Sequence, residues 1–236
     1  TNFSDAAGDQ QALSNVVVHL FKDGGDAVAD GSDDIYLRSD TTDISGYYSF
    51  QIGEDADYWL AVDSKTGSLS NGSTWGEQVY APVGGLCTDG SGNETTKVSA
   101  GNCFGGRRGN QSDNISASPT NADLANAEHV AKFTMNSTSI SGINFGFSFN
   151  VVTNVRDGDE DGSANRSIQG SLRQFITNAN EISGTNTMRF VPTIPTNSSG
   201  SGGNWWSITL GSTLPAITDA LTTIDGTSYS LTSPTT

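Results

Sequence analysis

The sequence predicts an all-β chain: a β-sandwich over the first 150 residues, then one short helix and a series of very short strands. Two observations predict it. Short segments rich in Val, Ile, Phe, Tyr and Trp alternate with polar residues and close on Gly, Asp, Asn or Pro, which is the period-two signature of strands between turns. The composition agrees. Hydrophobic residues make up 34% and charged residues 16%, both low for a globular domain. Gly, Ser, Thr and Asn fill the difference, a mixture that suits short strands and tight turns and is poor in helix formers. The 236 residues allow one or two domains.

Within residues 1–150 the strands follow in order. Val16-Val17-Val18-His19-Leu20-Phe21-Lys22-Asp23 is the first, and a Gly/Asp turn follows it. Residues 41–52 carry Thr41-Thr42-Asp43, Gly46 and then Tyr48, Phe50 and Ile52, a turn into a second strand. Asp57-Tyr58-Trp59-Leu60-Ala61-Val62-Asp63 is a third, with Tyr58, Leu60 and Val62 alternating against Trp59 and Ala61. Residues 131–135 and 143–149 complete the set, the latter through Ile143, Phe145, Phe147 and Phe149. Several such strands make a sandwich.

Val16, Val18 and Leu20, then Thr41, Thr42, Asp43, Gly46, Tyr48 and Phe50, then Tyr58, Leu60 and Val62 carry a resemblance. Their order resembles the B-type domains of Gram-positive serine-aspartate repeat adhesins and the related collagen-adhesin B and carboxypeptidase-regulatory-like modules. The match covers residues 14–63, with 130–149 as a closing strand. Thr1-Asn2-Phe3-Ser4-Asp5 is similar to the remainder of an opening strand in such modules. A sandwich lacking that strand has an open edge. Related modules also form Lys–Asn isopeptide cross-links. Here Lys22 and Asn144 or Asn150 are the candidates, but Val62 stands near where the acid belongs, so the bond is not expected.

Residues 64–129 depart from the pattern as a long insertion rich in Gly, Ser and Asn. A connection of that length is unusual in a compact domain and reads as a surface excursion or one that packs on a neighbour. Cys87 and Cys103, the two cysteines of the chain, lie within it and are expected to form a disulfide that staples the loop. Closing a loop of this length stabilises by about 3 kcal/mol in the chain-entropy model. Neither His19 nor His129 is close enough in sequence to suggest a zinc site.

Residues 151–169 read as an acidic linker. Asp157, Asp159 and Asp161 with Gly162 place carboxylates at alternate positions before a turn residue, which makes calcium the candidate cofactor. The twelfth position of an EF-hand loop would be Ile168, so such a site is looser than an EF-hand. A second acidic stretch is Asp30-Gly31-Ser32-Asp33-Asp34.

Residues 170–236 open with Gly170-Ser171-Leu172-Arg173-Gln174-Phe175-Ile176-Thr177-Asn178-Ala179-Asn180. Leu172, Phe175, Ile176 and Ala179 share one helix face. Asn186-Thr187-Met188-Arg189-Phe190, Leu214-Pro215-Ala216-Ile217-Thr218 and Thr223-Ile224-Asp225-Gly226 follow. This phrase resembles the N-terminal cap and first coil of the right-handed parallel β-helix in large bacterial secreted and cell-surface proteins. The resemblance implies a capping helix and stacked coils. A single coil cannot bury its own apolar face, so neighbours are expected. The sequence reads as a mature or trimmed piece of a longer polypeptide, or as a unit whose partner supplies the missing face. Adjacent Trp205 and Trp206 in a strand point to opposite faces, so one is expected inside and the other toward a neighbour.

A net charge of −15 argues against nucleic acid, whose phosphates need Lys and Arg, and against anionic membranes. No segment is apolar enough to span a bilayer. Asn-x-Ser/Thr sequons occur at eight positions, and Asn71, Asn93, Asn110, Asn114 and Asn136 are the glycosylation candidates, glycosylated only where the machinery exists. There is no Gly-x-Ser-x-Gly elbow and no Cys–His pair, and Glu128-His129 reads as structural, so no enzyme activity is expected. The expected function is an extracellular, cell-surface structural or adhesive protein: a filament subunit, surface-layer component or adhesin stalk. Its expected partners are copies of itself, head to tail, with surface glycans as a candidate ligand. The alternative is the accessory N-terminal part of a carbohydrate-active β-helix enzyme, a polysaccharide lyase or hydrolase.

Overall fold

A computed structural model describes residues 11–107, 112–157 and 168–225; the opening Thr1-Asn2-Phe3-Ser4-Asp5 lies outside them. The fold is all-β, with one α-helix among the described residues. In order, the strands are β1 (Val17–Lys22), β2 (Ile35–Thr41), β3 (Asp57–Asp63), β4 (Glu77–Ala81), β5 (Leu86–Thr88), β6 (Glu94–Thr96), β7 (Gly101–Asn102), β8 (His129–Thr134), β9 (Gly146–Ser148) and β10 (Val151–Val152). The helix α1 (Leu172–Glu181) comes next. It is followed by β11 (Asn186–Thr187), β12 (Arg189–Phe190), β13 (Ser198–Gly200), β14 (Gly203–Trp205) and β15 (Thr222–Thr223).

The centre is an antiparallel sheet of order β2-β1-β3-β8. Val18 and Leu20 of β1 sit opposite Val62 and Leu60 of β3 and point to one face. There they form a core with Val16, Tyr58 and Leu69, backed by Tyr48, Phe50, Ile52, Phe133, Phe145 and Phe147. Phe21, Trp59, Ala61 and Val130 point to the other face and pack on Leu86, Ile115, Leu124 and Ala127. Both faces of the sheet are therefore covered.

Much of that second cover comes from residues 64–129, the segment expected to be a surface excursion or one that packs on a neighbour. The segment supplies Leu69, Trp75, Val79, Ile115 and Leu124 to the interior, each buried. It also supplies β4, the middle strand of a second sheet of order β7-β4-β9. Of the closing strand expected over 130–149, β8 pairs with β3 in the first sheet, while β9 pairs with β4 of this segment. Cys87 and Cys103 are disulfide-bonded with Cα atoms 5.5 Å apart. They are buried against Ala81, so the bond fastens a cover layer rather than a bare loop.

The second strand is also displaced from its expected place. β2 is Ile35–Thr41, mostly exposed, and is held by backbone pairing to β1 with an irregularity at Leu20/Phe21. Residues 47–52 run unpaired and contribute side chains to the core, the Tyr48 hydroxyl donating to the Ile143 carbonyl at 2.6 Å.

The run after residue 150 is no free linker where it is described. Val151 and Val152 are buried in β10, which pairs in parallel with β12. β11 in turn pairs in parallel with β15. Alternate N–H groups of one continuous stretch serve both neighbours. Arg189, Val191 and Thr193 donate to Asn150, Val152 and Thr153, while Asn186 and Met188 donate to Leu221 and Thr223. Residues 186–193 are therefore the middle rung of a three-level parallel ladder, with partners 38 residues away at one level and 36 at the next.

Helix α1 closes one side of this ladder. Ser171 caps it, its hydroxyl accepting from the Gln174 N–H at 3.0 Å, as the Ser-x-x-Gln spacing favours. Phe175, Ile176 and Ala179 pack with Val152 and Met188, joined by Leu172, Phe190 and Leu214. The polar face is buried too, because it docks on the cover layer. Asn178 brackets Trp75, its Oδ1 accepting from the Trp75 N–H at 2.8 Å and its Nδ2 donating to the Trp75 carbonyl at 3.0 Å. Gln174 reaches the Ser73 carbonyl at 2.9 Å. Trp206 is half-buried, edge-on to Phe190, and donates to the Ile194 carbonyl, while Trp205 is exposed.

Candidate functional site

The β1–β2 connection gathers carboxylates. Asp26, Asp30 and Asp33 each place an oxygen within 4.8 Å of the others, and all three are exposed. The loop is shaped by its own short side chains: the Val28 N–H donates to Asp26, Ser32 to Asp30 and Gly31 to Asp34. Gly31 has φ +75° and lies against the backbone of Asn121 and Ala122, where a Cβ would come within 2.4 Å of the Asn121 carbonyl oxygen. Only glycine meets both demands, and that contact seats the loop on the short helical turn at 121–126. Asp33 is pushed up by desolvation and then by repulsion from Asp26, with Asp23 and Asp30 adding to it. Asp30 is held down by hydrogen bonds from Ser32.

Three carboxylate oxygens this close are an arrangement that could hold a hard divalent ion. Backbone carbonyls and water would complete the six to eight oxygens that calcium takes. Asp30 and Asp33 stand in the second acidic stretch of the sequence. Asp26 escapes a reading of the sequence, because its spacing matches no ligand motif and only the folded loop brings it in. Calcium titrated calorimetrically into the full chain is expected to bind with Kd on the order of 10⁻⁴ to 10⁻³ M, as in extracellular modules. Asp30→Asn is expected to abolish the heat, and an unchanged isotherm in that variant would remove the triad from consideration.

The acidic run at 157–161 fares differently. Asp157 is engaged on both oxygens: Arg173 Nε and Nη2 donate to them at 2.7 and 2.9 Å, and the Gly211 N–H adds a third bond at 2.7 Å. These bonds, Arg173 foremost, hold its carboxyl below the usual range. Arg173 also donates to the Ser212 and Thr213 carbonyls, so the pair ties the start of α1 to residues 211–213. Asp159 and Asp161 lie outside the described residues. Among the glycosylation candidates, Asn71, Asn93, Asn114 and Asn136 are exposed, and Asn110 lies outside the described residues.

A second cluster is buried where β3, β4, β8, the residues leading into α1 and residues 112–113 meet. Asp63, Glu77, Asp113, Glu128 and His129 are each no more than 2% exposed. Asp113 accepts from the Ser64 N–H and hydroxyl and from the Glu128 N–H. Glu77 accepts from the Gln78 N–H and from Thr153 Oγ1. His129 Nδ1 lies 2.8 Å from Gln78 Oε1 and Nε2 lies 3.3 Å from Gln169 Nε2. A carbonyl oxygen can only accept, so Nδ1 carries the proton and Nε2 accepts from the Gln169 amide. Burial pushes His129 down to about 4, so the ring is neutral. Burial pushes Glu77 up to about 8, and Asp63 up to about 6 with help from Asp113. Perturbed groups of this kind often mark active sites; these are buried from solvent.

No family model matches the chain, and no solved structure matches it.

Proposed function

We propose that this chain is a structural or adhesive component of a cell surface, a scaffold rather than a catalyst, which assembles head to tail with copies of itself. The three-level parallel ladder carries the reading. Its last level, β15, pairs on one side only among the described residues. In the stretch of chain that includes it, Trp205, Leu210, Ile217, Leu221 and Ile224 are 46–56% exposed. Five large apolar side chains in one stretch of about twenty residues are the dressing of a surface that meets another, and an open strand edge pairs readily with a further strand. β2, in the first sheet, is also an edge strand, with exposed Ile35 and Leu37. Contact between unlike edges is heterologous and grows into a filament unless it closes. Copies with a net charge of −15 repel one another, and calcium in the Asp26–Asp30–Asp33 cluster would lessen that repulsion.

The compartment fits. The disulfide belongs to an oxidising environment, and no helix among the described residues is long and apolar enough to cross a membrane. In sedimentation velocity the wild-type chain is expected to form species that grow with concentration. The double substitution Leu221→Lys, Ile224→Lys should leave a 24.6 kDa monomer. Equal growth in both proteins would move the contact away from β15.

A further inference from the structure

The buried cluster between the sheets and α1 contains more ionisable groups than its surroundings satisfy. Glu128 is 2% exposed, and among the described residues neither of its carboxylate oxygens has a hydrogen-bond partner. An ionised carboxylate in that state loses its hydration and gains nothing for it. The groups that face it come from every neighbouring element. Glu77 faces it from β4, Asp113 from residues 112–113 and Arg156 from the run after β10. His129 Nε2 stands 3.9 Å from Oε2, but that nitrogen is the acceptor of the ring and brings neither charge nor proton. Among the described residues, two carboxylates therefore oppose the Glu128 charge and one arginine supports it.

Glu77 is confined as tightly, and by the helix-bearing segment itself. Gly170 has φ +67°, and a Cβ there would lie 2.2 Å from Glu77 Oε2 and 2.1 Å from Thr153 Oγ1. The Gly170 carbonyl also accepts from the Thr153 N–H at 2.8 Å. The Glu77 carboxyl is thus pressed between β4 and the stretch that leads into α1, with Asp113 as a further repelling charge.

We propose that Glu77 and Glu128 form a proton-operated latch: with both carboxyls protonated the seam between the sheets and the helix-bearing segment stays shut, and their ionisation releases that segment while the central sheet stays folded. Burial raises both groups above the ordinary glutamate range, so the latch is closed in mild acid and loosens as pH rises past neutrality.

Two tryptophans separate this from general unfolding. Trp75 lies in the seam, bracketed by Asn178 and donating through Nε1 to Ser64 Oγ. Trp59 lies in the central sheet and donates to Asp23 Oδ1. Indole N–H resonances of the full chain, assigned with Trp75→Phe, are followed from about pH 5 to about pH 9, a range that spans the value of about 8 for Glu77. The Trp75 signal is expected to shift and broaden over the upper half of that range, while that of Trp59 holds. In Glu77→Gln, Glu128→Gln the Trp75 signal should stay fixed throughout; Glu128→Gln alone should move its onset. A wild-type Trp75 signal that never moves, one that moves only together with Trp59, or one that moves identically in the variants would each overturn the latch.

Discussion

Replacing Asn178 with alanine is expected to destabilise the protein by about 4 kcal/mol, because one amide serves four partners. Its Oδ1 accepts from the Trp75 N–H and from Gln174 Nε2, and its Nδ2 donates to the Trp75 and Phe149 carbonyls. Alanine leaves the backbone groups of buried Trp75 without these partners, and each stranded group costs about 1–3 kcal/mol. The melting temperature should fall by roughly 10 °C, given about 2–4 °C per kcal/mol for a domain of this size. Asn178→Asp keeps the acceptor but buries a carboxylate oxygen against the Trp75 and Phe149 carbonyls, so it should destabilise at least as much. A melt close to that of wild type in the alanine variant would mean that α1 is not anchored through this side chain.

The second large effect is on pH dependence. Glu77 in the folded chain is raised to about 8 from 4.5. The folded state therefore holds a proton that the unfolded state has lost, and the associated stability is full below about 4.5 and is lost as pH rises to about 8. His129 has the opposite sign. Lowered from 6.5 to about 4, it contributes stability that is full above about 6.5 and lost as pH falls through about 4. The two slopes offset one another between about 4.5 and 6.5, and above that Glu77 acts alone of the pair. Its share of the loss from about pH 6.5 to about pH 8 is about 2 kcal/mol, at about 1.36 kcal/mol per pH unit. Urea melts at the two pH values should show that Glu77→Gln loses less stability than wild type by about this amount. Parallel losses in the two proteins would show that Glu77 titrates normally.

Part of this architecture is legible in the sequence. Alternation in β1 and β3 identifies both strands, and Leu172, Phe175, Ile176 and Ala179 identify the face that α1 turns to the ladder. What the alternation conceals is the second cover. Phe21, Trp59 and Ala61 are apolar on the face opposite Val18, Leu20, Leu60 and Val62, and a strand apolar on both sides is one buried on both sides. That signal is present, but the Gly- and Ser-rich composition of residues 64–129 obscures the layer that answers it. β2 is illegible because Arg38, Ser39 and Asp40 carry no apolar pattern; only backbone pairing defines it.

The sites divide in the same way. Cys87 and Cys103 are near in sequence, and their pairing can be read from it. Asp157 looks like a ligand because its neighbours are acidic, yet its partner, Arg173, lies 16 residues on. Glu77, Asp113 and Glu128 share no local pattern at all. They meet because β4, residues 112–113 and β8 converge on the seam, and long-range contacts of that kind leave no trace in spacing.

Head-to-tail assembly is decided by electron microscopy of the protein isolated natively, without denaturant and with calcium retained. Polymers with a regular axial repeat are expected, each subunit's β15 edge covered by the next. A stable, monodisperse monomer of 24.6 kDa would contradict it.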